Sequence, residues 1–177
     1  MHYRGSLTMA SRWSLAWRNR PPEEAALFNP AFCGELIARA TKDYEKIRAS
    51  AFPLPFGFVI LPLILHPPTL AALPGRANTT FATWSADNES LLAELPERIL
   101  RLRPISREAL LFLAQHGVLK VNAEGLRTGE HPMKLSAKPT TSTPDVDDIR
   151  RAAGLVGRWF ANQGAPVQIL QTMGVTP

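Results

Sequence analysis

The chain is 177 residues long, 45% hydrophobic and 20% charged, with a formal net charge of +5. That suits a single domain with a real core and a moderately basic surface able to hold phosphate or an acidic protein face. One cysteine, Cys33, rules out an internal disulfide and any zinc site built from several cysteines, and makes a reducing cytoplasm the expected compartment.

In chain order, residues 1–20 read as a basic, flexible arm in which Arg4, Arg12, Arg18 and Arg20 meet no local acid. Trp13 and Trp17 are four apart, so a short helix would place both rings on one face, for docking onto this domain or onto a partner. Thr8, Ser11, Arg12 and Ser14 interrupt the apolar stretch from Leu7 to Trp17, which argues against a signal peptide, and Met9 is a second candidate start. Residues 21–177 are expected to form one compact domain.

Pro21-Pro22-Glu23-Glu24 predicts a helix start, with proline in the first turn and acids near the positive dipole end; this helix runs to Asn29. Asn29 then caps a second helix opened by Pro30. Phe32, Cys33, Leu36, Ile37, Ala40, Tyr44 and Ile47 share its inner face, while Glu35, Arg39, Lys42, Asp43, Glu45 and Lys46 share its outer one. Cys33 is expected to be a buried structural thiol.

Next comes the apolar run from Phe52 to Pro67, broken by Pro53, Pro55 and Pro62. A bilayer span takes roughly 20 apolar residues, and this run is shorter and interrupted. It predicts a buried helical spine from Phe56 to Leu65, with Pro62 inside it. Pro67-Pro68-Thr69 starts a short helix that ends before Pro74-Gly75. Residues 76–85 read as an extended connector or a short strand. A helix from about Glu89 to Leu102 follows, capped by Asp87 or Asn88 and interrupted at Pro96.

Pro104-Ile105-Ser106 predicts a new helix with Ser106 as N-cap, ending at Gln115-His116-Gly117. The strand Val118–Asn122, the turn Ala123-Glu124-Gly125 and a return strand from Leu126-Arg127 come after it. Helix plus hairpin, about 104–131, makes a winged-helix-like unit. Residues 132–143 predict a polar loop, followed by a C-terminal helical segment over 144–177. The fold class is therefore mainly α with a small β-hairpin (α+β).

No reaction chemistry is written in these residues. Asp145, Asp147 and Asp148 fall in the first turn of a helix, where the dipole favours carboxylates, and lack the further oxygen ligands of an ion site. His2, His66, His116 and His131 are scattered; His66 and His116 sit at predicted helix ends, where a cation offsets the dipole. Near the core, Asp43, Tyr44, Glu45 and His66 are the available titratable groups, without a nucleophile or metal signature. Ala152, Ala153, Gly154 and Gly157 form a small-residue stripe suited to close helix packing, inside the chain or with another subunit. Duplex DNA contact through the winged-helix-like unit would fall to Arg103, Arg107, Lys120 and Arg127. Its helix is dominated by Leu, Phe and Ala, which favours a protein-binding unit over a DNA reader.

Several collinear segments carry a resemblance. They are Arg20-Pro21-Pro22-Glu23-Glu24-Ala25-Ala26-Leu27-Phe28-Asn29-Pro30-Ala31-Phe32-Cys33, then Ile60-Leu61-Pro62-Leu63-Ile64-Leu65-His66, then Trp84. Gly157-Arg158-Trp159-Phe160 and Met173-Gly174-Val175-Thr176-Pro177 follow. Together, from Arg20 to Pro177, the chain resembles the middle component of bacterial three-component ABC-ATPase systems. The resemblance implies an adaptor between an SMC-like ABC ATPase and an effector subunit in conflict with phages or plasmids. It offers no catalytic residue; no cofactor, metal, membrane or small-molecule substrate is expected, DNA contact through the complex is open, and so is direct contact. Apolar or basic groups in terminal surroundings make Trp13, Trp17, Arg18, Arg20, Gly174, Val175 and Pro177 the candidate partner contacts.

Overall fold

The computed structural model of the chain describes residues 17–135 and 143–176, and the backbone alone for Trp17. A 3-10 turn, Trp17–Asn19, precedes α1 (Pro22–Leu27) and α2 (Pro30–Arg48). Both helices carry proline in the first turn, and Asn29 caps α2 by accepting from the Ala31 amide at 2.8 Å. The expected spine is α3 (Leu54–Ile64), with Phe56, Val59, Ile60, Leu61 and Ile64 fully buried. Pro62 lies inside this helix and cannot donate to the Phe58 carbonyl. A helix apolar on nearly every side must be enclosed by others, and α3 is.

After α3 come α4 (Pro67–Ala72), α5 (Phe81–Asp87), α6 (Glu89–Ala93) and α7 (Leu95–Gln115). The hairpin β1 (Leu119–Asn122) and β2 (Gly125–Thr128) follows, then α8 (Pro144–Ala161) and α9 (Pro166–Thr172). Among the described residues no helix is long and apolar enough to cross a membrane.

Two expectations about where helices begin fail, both for tertiary reasons. The first is the extended connector over 76–85, of which residues 81–85 belong to α5 instead. Thr80 caps that helix by accepting from the Thr83 amide at 3.2 Å, and Phe81 and Trp84 bury one shared face. The second is the helix start at Ser106. The helix α7 begins at Leu95 and passes straight through Pro104, so the helix-hairpin unit does not begin near residue 104. Ser106 is fully buried in mid-helix, and its hydroxyl finds no hydrogen-bond partner among the described residues. Burial of Ile99, Ile105, Ala109 and Leu113 on one side holds the helix together across the proline.

The central relationship is that of α2 to its neighbours. On one side Gly34 faces Leu113 and Ala109 of α7. On another, Gly157 of α8 lies against the Ala40 backbone. Glu35 meets Arg150 and Asp43 meets Arg158, each pair separated by 115 positions, so α2 and α8 run parallel in constant register. Arg48 completes the pairing by donating to the carbonyls of Gln163 (2.8 Å) and Gly164 (3.1 Å) beyond the end of α8. The small-residue stripe is thus used inside the chain.

Between these helices the aromatic side chains join into one cluster. Phe56 packs at a tilt against Phe160 (4.7 Å between centroids), and Phe81 and Trp84 both meet Trp159 (5.2 and 5.0 Å). The indole of Trp159 donates to the Thr79 carbonyl at 2.7 Å, and that of Trp84 to the Ala72 carbonyl at 2.6 Å. Residues between α4 and α5 are clamped in this way although they have no regular structure of their own.

In the hairpin, Lys120 pairs with Arg127 and Val121 with Leu126, and Asn122 closes the turn by accepting from the Glu124 and Gly125 amides. Phe52, just before α3, exchanges both backbone hydrogen bonds with Leu126, at 2.8 and 2.7 Å. Gly125 permits this approach: its φ is +135°, and a Cβ there would sit 2.3 Å from the Phe52 carbonyl oxygen.

Candidate functional site

Of the candidate partner contacts, Trp13 and Pro177 lie outside the described residues, as does the side chain of Trp17. Arg18 is exposed. Arg20 is not an arm residue in contact with solvent: it is buried, reaches the Glu108 carboxylate of α7 at 2.5 Å and donates to the Phe28 carbonyl. The flexible arm therefore cannot extend through residue 20, because this ion pair fastens the chain to α7. Gly174 and Val175 end α9. Gly174 has φ +71°, its amide bonds to the Gln171 carbonyl and that of Val175 to the Leu170 carbonyl, while the Val175 side chain packs on the core.

The four basic residues considered for DNA separate into two kinds. Lys120 pairs with Glu130 at 2.7 Å, and Arg127 with Glu124 at 3.1 Å and Glu45 at 3.9 Å. Arg103 and Arg107 stand exposed on the outer face of α7, without an acidic partner among the described residues. On the same face lie Leu100 and Leu111, 65% and 50% exposed. Spacing of three to four residues lines up Leu100, Arg103, Arg107 and Leu111 as one stripe, apolar at its ends and cationic between. Residues Leu100 and Leu111 went unnoticed in the sequence because the helix was divided at Pro104.

The titratable groups near the core do not converge. Tyr44 is buried edge-on against Phe52, Glu45 accepts from the Thr128 amide and hydroxyl, and Asp43 pairs with Arg158 and Lys46. His66 precedes α4 and shares Thr69 and Arg98, its Nδ1 lying 2.8 Å from the Thr69 hydroxyl and 3.0 Å from the Arg98 guanidinium. Burial, and then the positive charge of Arg98, lower its pKa, so it does not supply the helix-end cation expected of it; Arg98 is the cation there. Burial pushes the Cys33 thiol up to about 12, which keeps it protonated and inert. Asp145 and Asp147 occupy the first turn of α8, and no metal-holding cluster occurs among the described residues.

A cleft of about 880 Å³ opens where α2 and α8 approach α4. Its walls carry Arg39, Lys42, Lys46, Arg150, Arg151 and Arg158 against two carboxylates, Asp43 and Asp148. Leu70, Leu73 and Leu155 contribute half-buried apolar surface. In the sequence the α2 part of this wall reads as an ordinary solvated face. Matching charges at equal spacing on the two helices, Glu35 and Asp43 against Arg150 and Arg158, were the available signal.

Fold and surfaces together describe a small, mostly helical protein whose distinctive side chains build a scaffold, with a leucine-arginine stripe on α7 and a cationic cleft beside α2 exposed on its surface. The chain belongs to the ABC-three component (ABC-3C) system Middle Component 3 family, whose model matches residues 17–177. No curated protein and no solved structure matches the chain. The collinear segments that carried the resemblance have structural roles here: Gly157 allows α8 to touch α2, Arg158 pairs with Asp43, Trp159 clamps the connector and Phe160 fills the core.

Proposed function

We propose that this middle component is a non-enzymatic adaptor that couples an SMC-like ABC ATPase to an effector subunit, in defence against phages or plasmids. Membership of the family over residues 17–177 carries the reading. It is supported by the stripe Leu100, Arg103, Arg107 and Leu111, since exposed leucines in register on a rigid helix lose free energy to water that a partner recovers. ATP-driven movement of the ATPase would alter the effector's state through differential contacts in two arrangements. The arm with Trp13, Trp17 and Arg18 is a further proposed contact, and the cytoplasm the proposed location.

The helix-hairpin unit is read as a protein-binding winged helix. The Phe52–Leu126 bridge supports this by placing a third extended segment beside the hairpin. The rival reading, a winged-helix DNA-binding regulator, is favoured by Arg103 and Arg107, which have no acidic partner among the described residues, but weakened by the carboxylates holding Lys120 and Arg127.

Co-purification with the ATPase encoded beside this chain tests the adaptor reading. Leu100→Asp with Leu111→Asp is expected to abolish capture of the ATPase or the effector while leaving the melting temperature within about 2 °C. Unchanged capture of both would remove the α7 stripe from the adaptor, and the paired substitution of Trp13 and Trp17 tests the arm in the same way. Salt-sensitive binding of duplex DNA by the isolated chain would favour the rival.

A further inference from the structure

The stripe on α7 leaves a second feature unused, the cleft between α2, α8 and α4. We propose that it binds an acidic amphipathic peptide segment of a partner protein, with carboxylates on its walls and an apolar side chain against Leu70, Leu73 and Leu155.

Three observations carry this. Six cationic side chains line the cleft with Asp43 and Asp148, and counting Glu35 and Asp147, which pair with Arg39 and Arg150 from beside it, cations still exceed carboxylates. Lys42 has no acidic partner among the described residues and is half-buried, where a charge is screened less than at an open surface. Arg39, Arg150 and Arg158 are already oriented by Glu35 and Asp43, so an incoming carboxylate meets guanidinium groups with little freedom left to lose.

The same residues disfavour a nucleic acid. Asp43 and Asp148 also line the cleft; a peptide can place apolar or neutral side chains beside them, whereas a nucleic acid carries a phosphate at every nucleotide. Among the described residues no aromatic ring lines it, so unpaired bases would find nothing there to stack on. The apolar part has no use for a sugar-phosphate backbone, whereas it suits a leucine or methionine of a helix laid in a groove.

The inference rests on the adaptor reading for the source of the peptide, but binding itself is measured on the isolated full chain. The probe is a fluorescent synthetic peptide of about 16 residues, long enough for roughly four helical turns, rich in glutamate with leucine every third or fourth position. Fluorescence anisotropy is expected to show saturable binding. That binding should weaken at least about tenfold in K42E/R151E, and by a similar factor when the peptide leucines become serine. Arg151 is 73% exposed on its side chain, so the variant is expected to fold. If it does not, K42Q/R151Q is measured instead, with amine crosslinks from the peptide to Lys42 and Lys46 mapped on the unaltered chain.

No peptide binding, or equal binding by the variant, overturns the proposal. Tighter binding of a single-stranded or duplex oligonucleotide that the same variant abolishes also overturns it, and makes the cleft a nucleic-acid site. No peptide binding by the unaltered chain with ATPase capture intact sinks the cleft alone, while peptide binding without ATPase capture sinks the adaptor reading alone.

Discussion

Gly157 of α8 lies against the backbone of Ala40 of α2 so closely that a Cβ at position 157 would sit 2.2 Å from the Ala40 carbonyl oxygen. A backbone atom in mid-helix cannot move aside as a side chain can. The two helices would have to separate, and Glu35–Arg150 and Asp43–Arg158 span that same seam.

Gly157→Ala is therefore expected to destabilise the protein by about 2–3 kcal/mol, the cost of overpacking exceeding the roughly 1 kcal/mol that alanine gains in helix propensity. In a thermal melt this is a fall of about 4–12 °C. Gly154→Ala meets only side-chain ends, the Asp43 carboxylate at 2.8 Å and the Arg158 guanidinium at 3.2 Å, which can swing, and Gly75→Ala meets nothing within 4 Å. Both are expected to stay within about 1 kcal/mol of the unaltered chain. A Gly157→Ala variant that melts with these two controls would mean that α2 and α8 are not in contact as described.

His66 makes stability depend on pH. Burial and Arg98, with a smaller contribution from Arg101 and opposition from Glu94, hold its folded pKa below the ordinary 6.5. The unfolded chain therefore takes up a proton more readily than the folded one. Stability from this group is complete above about pH 6.5 and is lost as pH falls through the lower folded value. Melting temperature is expected to fall more steeply between about pH 7.5 and 5.5 in the unaltered chain than in His66→Asn, which keeps a polar group beside Thr69 but does not titrate. Parallel slopes in the two proteins would assign the acid sensitivity elsewhere.

Arg20 fastens the amino-terminal end of the described chain to α7. Its side chain is 2% exposed and that of Glu108 32%, so the pair is partly shielded from water. Arg20→Ala loses this contact and the bond to the Phe28 carbonyl, at an expected cost of about 1–2 kcal/mol. A double-mutant cycle with Glu108→Gln is expected to show a coupling of about 0.5 kcal/mol or more. Strict additivity would show that the two side chains do not act on each other.

Much of the local architecture was legible in advance because it has local causes. Asn29-Pro30 marks the start of α2 since an asparagine cap and a proline at the first helical position need no tertiary help. The apolar run before Pro67 had to be buried, and it is. Pro104 misled because an isolated chain pays about 3 kcal/mol for proline in mid-helix, whereas α7 recovers that through Ile99, Ile105, Ala109 and Leu113 in the core. Thr80–Trp84 read as extended because its helix depends on Trp159 and Gln163, roughly 80 positions away, as a tertiary contact overrides local propensity. The cleft stayed hidden for the same reason: the face of α2 from Arg39 to Lys46 has the pattern of any solvated surface until α8 comes alongside.

By itself, then, the order of residues determined a mainly helical chain with a small hairpin, an enclosed apolar centre, a single inert thiol and membership of a middle-component family. Tertiary structure alone decided which glycine touches which backbone, that Arg20 is buried, and where cations gather beside apolar surface. Capping, periodicity and apolar content act over a few residues and can be read in line. Contacts between positions 115 apart depend on how parallel helices settle against each other, and no local pattern records that.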